Sequence, residues 1–478
     1  MSNSLNKELI KGSLWSAGGQ FGSLVVVLIT NIWLTRLLSP QEFGQIGIIM
    51  FFVVLSNVFT EGGLAGALVR KTIVTDEDYS TVFIFNLFVS LCCYLLLIFS
   101  SDSIASYYND DAIKNPLIVS GLVLVINAFQ IVQNVRLIRQ LKFKQISVYR
   151  LIAVIIASVC GVFSAYNGAG IWSLVIVQIC TSVLMTFFLW VFERHFLRMK
   201  FSVESFKSLY AFGVNTTLAS LLNTAFDNIY QLVLGRYFSI SQVGFFYQAK
   251  KLQDVPGGII NTVNQGVVFS ALSKLQEDIR QFVDLYIRIG VLLTVVLGSI
   301  STVVFLFADS IIDIIYGEKW IEAAFYMKLL SVASFFYFHE LFFRVVFKVF
   351  NKTRKILAME LIKKGVQILT IVVGVYFLDL NILLYGFIFT SILGCFMYYF
   401  ASLNLIKEIG YRYLKIILKV CLIVCIIVFV TNRVIVFFSI KAVYDLCLAP
   451  FTFAIYIIIL HGFGIINIKS ILKLKKIV

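Results

Sequence analysis

The sequence predicts an all-α polytopic membrane protein of about fourteen transmembrane helices, and three observations carry that prediction. Hydrophobic residues make up 60% of the 478-residue chain and charged residues only 14%, with a mean hydropathy of +0.94. A soluble domain averages about 45–50% apolar and about 25% charged residues, so this composition cannot cover a core in water and calls for lipid as the solvent. Second, apolar runs recur at the length of about 20 residues that crosses ~30 Å of hydrocarbon. Third, lysines and arginines gather in alternate connections between those runs, the pattern that sets membrane topology. Only four prolines interrupt the chain, which favours long helices.

Taken in order, residues 12–35, 79–101, 115–135, 289–308, 380–406 and 446–468 carry no Asp, Glu, Lys or Arg. Residues 151–192 are also uncharged but too long for one crossing, and Tyr166-Asn-Gly-Ala-Gly170 divides them into two. The remaining spans, near 43–68, 208–235, 242–270, 322–347, 356–378 and 412–432, contain or abut a charge. With the N-terminus in the cytoplasm, basic clusters such as Arg70-Lys71, Arg136/Arg139/Lys142/Lys144 and Lys348/Lys352/Arg354/Lys355 all fall inside, while Asp102, Asp110, Asp111, Asp309 and Asp313 fall outside. Both termini are therefore expected in the cytoplasm.

An internal repeat organises this count. Leu34, Arg36, Ser39 and Gly44 recur as Leu234, Arg236, Ser239 and Gly244, each pair separated by the same two hundred residues. A fixed offset over so much chain marks a duplicated unit. Six crossings per unit keep both copies in the same orientation, giving repeats related by an axis along the membrane normal. The expected organisation is a six-helix lobe (1–192), a cytoplasmic linker (193–207), a second six-helix lobe (208–404), two additional transmembrane helices (405–466) and a basic cytoplasmic tail (467–478). That tail is amphipathic and suited to the anionic inner leaflet. The first apolar stretch is too long for a signal-peptide core and lacks a small-residue cleavage site.

The net charge of +15 and pI near 9.3 do not indicate nucleic acid, because the basic residues lie in short runs between apolar spans. The eight cysteines sit mostly inside apolar runs and form no CxxC pair or metal-ligand spacing. The sequence holds no GxSxG, HExxH or P-loop pattern. An enzyme, a cofactor and a metal site are accordingly not expected.

Charges within membrane helices are costly and mark functional candidates. Glu61 lies in the second span, Asp227 in the seventh, Lys250, Lys251 and Asp254 in the eighth, and Lys328, His339, Glu340 and Arg344 in the tenth. Lys250 with Asp254 and Glu340 with Arg344 are four residues apart, so each pair reads either as a helix-face ion pair or as functional. Lys251 has no partner at that spacing. His339 reads more readily as a packing residue than as a proton relay, and Lys328 and Glu360 lie where they can reach an interface. Pro256-Gly257-Gly258 removes a backbone hydrogen bond and is expected to kink the eighth span beside a cavity and serve as a hinge. Asn127, Gln130, Gln133 and Asn134 place amides along the fourth span, for sugar hydroxyls or for joining helices.

Four stretches resemble the polysaccharide exporter branch of the multidrug/oligosaccharidyl-lipid/polysaccharide exporter superfamily: GSLWSAGGQFGSL with LTRLLSPQEFGQIGI, FTEGGLAGALVRK, DNIYQLVLGRYFSISQVGFFYQAKKLQDVPGG and IIYGEKWIEAA. Their order and spacing, more than any one of them, carry the likeness. The resemblance implies two six-helix lobes around a central cavity, alternating access, and passage of an undecaprenyl-pyrophosphate-linked oligosaccharide across a bacterial cytoplasmic membrane for surface polysaccharide assembly. It also implies an H+ or Na+ coupling ion, contact with membrane lipids, and work alongside a polysaccharide polymerase and export machinery. On this reading Lys250, Lys251 and Arg344 neutralise the pyrophosphate, and Asp227, Glu61, Asp254 and Glu340 couple or gate. The rival reading is an ion-coupled multidrug or small-cation exporter of the same superfamily.

Overall fold

A computed structural model describes residues 2–193, 199–438 and 446–465. These form sixteen α-helices, and among the described residues there is no strand. In chain order they are α1 (Ser2–Leu37), α2 (Pro40–Glu61), α3 (Leu64–Arg70), α4 (Asp76–Tyr108), α5 (Lys114–Arg139), α6 (Phe143–Tyr166), α7 (Trp172–Glu193) and α8 (Val203–Tyr237). There follow α9 (Ile240–Val263), α10 (Phe269–Ser273), α11 (Ile279–Tyr316), α12 (Ala323–Val349), α13 (Thr353–Tyr376), α14 (Leu380–Leu403), α15 (Arg412–Phe438) and α16 (Ala449–Gly462). Fourteen of them coincide with the fourteen expected spans; the short α3 and α10 continue two of those spans past a break. Ten helices among the described residues are long and apolar enough to cross a membrane. The others are α8, α9 and α13, which carry intramembrane charges, α16, of which fourteen residues are helical, and the two short ones.

Local chemistry sets these boundaries. Ser39 and Glu42 form a capping box at the start of α2, with Pro40 in its first turn, and Thr75 with Asp78 forms another at the start of α4. Each satisfies amide donors that a helix start leaves open. The second expected span is not one helix. Gly62 (φ 52°) and Gly63 (φ 64°) adopt left-handed conformations that end α2 and restart the chain as α3. The carbonyl end of α3 is capped from another helix: Arg139 at the end of α5 donates to the carbonyls of Leu68, Lys71 and Thr72 at 2.8, 2.6 and 3.2 Å.

The chain packs as two compact units, Met1–Tyr247 and Gln248–Val478. This division falls inside α9, because α8 packs along α2, α3 and α4 and lies in the first unit. Residues 194–198 of the expected 193–207 linker and the tail 467–478 lie outside the described residues.

Within the first unit the duplicated motifs meet. A Cβ on Gly44 would lie 1.8 Å from the carbonyl oxygen of Ile240, and a Cβ on Gly244 would lie 1.9 Å from that of Pro40. The two contacts are one contact seen from both copies, since Pro40 and Ile240 share the offset of Gly44 and Gly244. Backbone-to-backbone approach this close admits only glycine.

The second unit has an aromatic core in which Tyr286 stacks on Phe342 with centroids 4.6 Å apart. The two helices beyond the duplication are tied to α11: the Tyr413 hydroxyl of α15 donates to the Gly290 carbonyl at 3.0 Å, and that of Tyr456 in α16 to Val295 at 3.1 Å.

A buried charge quartet and a lysine pair in the second unit

The strongest constellation in the structure is a set of four charges on α12 and α13. Glu340 is fully buried. Its Oε1 accepts from Arg344 Nη2 at 2.5 Å, and its Oε2 accepts from Lys363 Nζ at 2.7 Å. Arg344 pairs in addition with Glu360. Aromatic rings complete the shell: the Arg344 guanidinium lies 4.9 Å from the centroid of Tyr398, and the Lys363 ammonium 5.3 Å from that of Tyr337. The Tyr398 hydroxyl reaches Glu360 at 3.5 Å and donates to the Ile356 carbonyl at 3.1 Å. Gly394 on α14 makes the seat for Glu340, because a Cβ there would stand 2.2 Å from Oε2.

Two carboxylates against two cations leave the quartet neutral, which is how charge is tolerated in apolar surroundings. The spacing of Glu340 and Arg344 on one helix announced half of it. Glu360 had appeared only as a residue able to reach an interface; the structure gives it a partner and adds Lys363 to the set. Arg344, expected to face a substrate, is engaged by two carboxylates. Its Nε is buried without a hydrogen-bond partner.

The eighth span carries the other cations. Lys250 and Lys251 are half-buried and Asp254 is exposed. At Pro256-Gly257-Gly258, where a kink is expected, α9 runs on without ending as far as Val263. Proline deprives the Leu252 carbonyl of its helical donor, and membrane helices accept that where neighbouring groups compensate. The irregular turn comes later, as a π-helix over Asn264–Val268 that leads into α10. A cavity of about 60 Å³ does adjoin Pro256, lined also by Leu252, Gln253, Ser301, Ser331 and Phe338. Neither lysine nor Arg344 lines it, so the three cations do not share that hollow.

The remaining candidates are dispersed. Glu61 is exposed at the end of α2, accepting from Asn57 Nδ2 at 3.0 Å just before the glycine break. Asp227 is exposed on α8. Gln130 donates to Asn127 at 3.0 Å and to the Ser182 carbonyl at 2.8 Å, the helix-joining role for these amides. His339 is fully buried, with Nε2 2.8 Å from Thr294 Oγ1 and Nδ1 2.6 Å from the Phe335 carbonyl, and so packs α12 against α11. Lys328 pairs with Asp309. Among the described residues no three His, Cys, Asp or Glu side chains gather as a metal site.

Long apolar helices, a duplicated six-helix arrangement with two further helices, and charges held inside it define a polytopic membrane protein whose fold is that of the multidrug/oligosaccharidyl-lipid/polysaccharide exporter superfamily. The structure is similar to that of a lipid II flippase, MurJ, in an inward closed conformation, with a TM-score of 0.75 at 16% identity over 95% of this chain and all of that one. It is similar also to an inward-facing multidrug resistance transporter of the same superfamily, with a TM-score of 0.62 at 15% identity over 82% of this chain and 96% of that one. The chain belongs to the polysaccharide biosynthesis protein family, which it matches over residues 33–325. Among relatives, it is 22% identical to the succinoglycan biosynthesis transport protein ExoT of Rhizobium meliloti (strain 1021), over 70% of this chain and 68% of that one. It is 23% identical to the lipopolysaccharide biosynthesis protein WzxC of Escherichia coli (strain K12), over 69% and 68%.

Proposed function

We propose that this protein moves an undecaprenyl-pyrophosphate-linked oligosaccharide across the bacterial cytoplasmic membrane by alternating access, with both termini in the cytoplasm. Family membership supports work in polysaccharide biosynthesis, and the names of the matched relatives support transport rather than synthesis. The observation that carries the reading is the Lys250–Lys251 pair, two adjacent cations in the interior of a transmembrane helix. Even one charge at the bilayer centre costs about 3 kcal/mol on insertion scales, and a diphosphate carries more than one. Cations along its route replace the hydration it loses, while the polyprenyl tail stays in the bilayer.

In this reading Lys250 and Lys251 receive the pyrophosphate first. Arg344 joins them when its carboxylates let go, which makes Glu340 the group through which an H+ or Na+ gradient acts. Glu61, Asp227 and Asp254 gate, and the α9–α10 irregularity flexes with Pro256, Gly257 and Gly258. The symmetric Gly44–Gly244 contact closes the outer side. A polymerase and export machinery take the product.

Complementation of a deletion strain tests this reading. The wild-type chain restores surface polysaccharide, and Lys250→Ala combined with Lys251→Ala, present at equal membrane level, abolishes it. Normal polysaccharide in the double variant contradicts the site. A deletion strain with unchanged polysaccharide but heightened drug sensitivity points instead to a multidrug exporter.

A further inference from the structure

One groove in the first unit is lined by none of the residues given a role above. It has a volume of about 490 Å³ and runs between the last turns of α4 and α8, with α2 behind it; Phe52, Ile104, Leu232, Tyr107, Tyr108 and Tyr237 are in its wall. The volume falls within the ~300–1,000 Å³ of small-ligand sites. Its rim carries a cation. The Arg236 guanidinium lies 4.5 Å from the centroid of the Tyr107 ring, and its Nη1 donates to the Tyr107 carbonyl. Arg236 is exposed, and among the described residues no carboxylate pairs with it. Of the acids at this end, Asp102 pairs with Lys114 at 2.5 Å, and Asp110 accepts from Gln45 at 2.6 Å and from the Ala112 amide at 3.0 Å.

An arginine fixed on an aromatic face by one N–H keeps its other donors in a planar fork, the geometry that takes phosphate oxygens in pairs. Tyrosines with an apolar body and a polar tip suit the level where acyl chains meet headgroups. We propose that this groove binds an anionic phospholipid, with one acyl chain against Ile104 and Leu232 and the phosphate on Arg236. A polyprenyl tail overruns a groove of this size, and a pyrophosphate calls for more than one cation, so the occupant is a bilayer lipid rather than the transported one. Bound there, it bridges α2, α4 and α8 at their shared end.

Native mass spectrometry of the full-length protein, titrated with phosphatidylglycerol or phosphatidylcholine, tests the proposal. The wild-type protein retains one phosphatidylglycerol more tightly than phosphatidylcholine. Arg236→Gln weakens that lipid at least tenfold and removes the preference, and Ser103→Phe, which fills the groove, weakens both lipids. Arg433→Gln, an exposed arginine on α15, leaves binding unchanged. Equal phosphatidylglycerol binding by wild type and Arg236→Gln overturns the proposal. So does displacement of the lipid by inorganic phosphate or by a polyprenyl phosphate at equal concentration.

Discussion

The cations of α9 and those of α12 and α13 lie in the same unit, and they are arranged differently. Around Glu340 every cation of the quartet has a carboxylate, the total charge is zero, and a glycine leaves room for the carboxylate. Along α9 two lysines stand side by side, half-buried, with the exposed Asp254 one turn on. A balanced set holds helices together at rest. Adjacent cations on one helix are what the proposed function assigns to an anion crossing the membrane. Charge count inside a span therefore says less about function than the arrangement of the charges does.

Breaking the balance of the quartet has the largest effect. Glu340→Ala leaves Arg344 and Lys363 buried without their shared carboxylate. Removing one partner of a buried ion pair costs about 3–5 kcal/mol, so the thermal unfolding midpoint of the purified protein drops sharply. Lys363→Met introduced alongside recovers part of the loss, because it removes one of the two orphaned cations. An unchanged midpoint in Glu340→Ala means that the four charges are solvated.

A smaller effect sharpens the comparison. Gly394→Ala adds a methyl group where Glu340 Oε2 sits, and overpacking of this kind costs about 1–3 kcal/mol. Glu340→Asp, one methylene shorter, withdraws the carboxylate and relieves the clash, so the double variant unfolds at a higher temperature than Gly394→Ala alone. Additive losses in the double variant separate Gly394 from the quartet.

Much of this architecture was legible before any coordinates. Bilayer-length apolar runs, alternating basic loops and the two-hundred-residue repeat fixed the helices, and the repeat placed Gly44 and Gly244 in equivalent positions. What escaped was contact between helices. The four-residue spacing of Glu340 and Arg344 is a property of one helix, whereas Lys363, Glu360 and Gly394 join them from α13 and α14, and no periodicity reports which faces meet. The Gly62–Gly63 break was written in adjacent glycines, but hydropathy alone runs straight through it. Pro256 lies within a continuous α9 and beside a cavity, while the π-helical turn at Asn264–Val268 left no mark in the sequence pattern.

The central claim is that the lysine pair of α9 serves translocation. Purified protein reconstituted into liposomes with a fluorescent undecaprenyl-pyrophosphate oligosaccharide on one leaflet measures it, with a membrane-impermeant reductant reporting the label that has crossed. The account predicts that the wild-type chain moves the lipid and that Lys250→Ala/Lys251→Ala, folded to the same thermal midpoint, moves it at the rate of empty liposomes. Equal rates for the wild type and the double variant would contradict it.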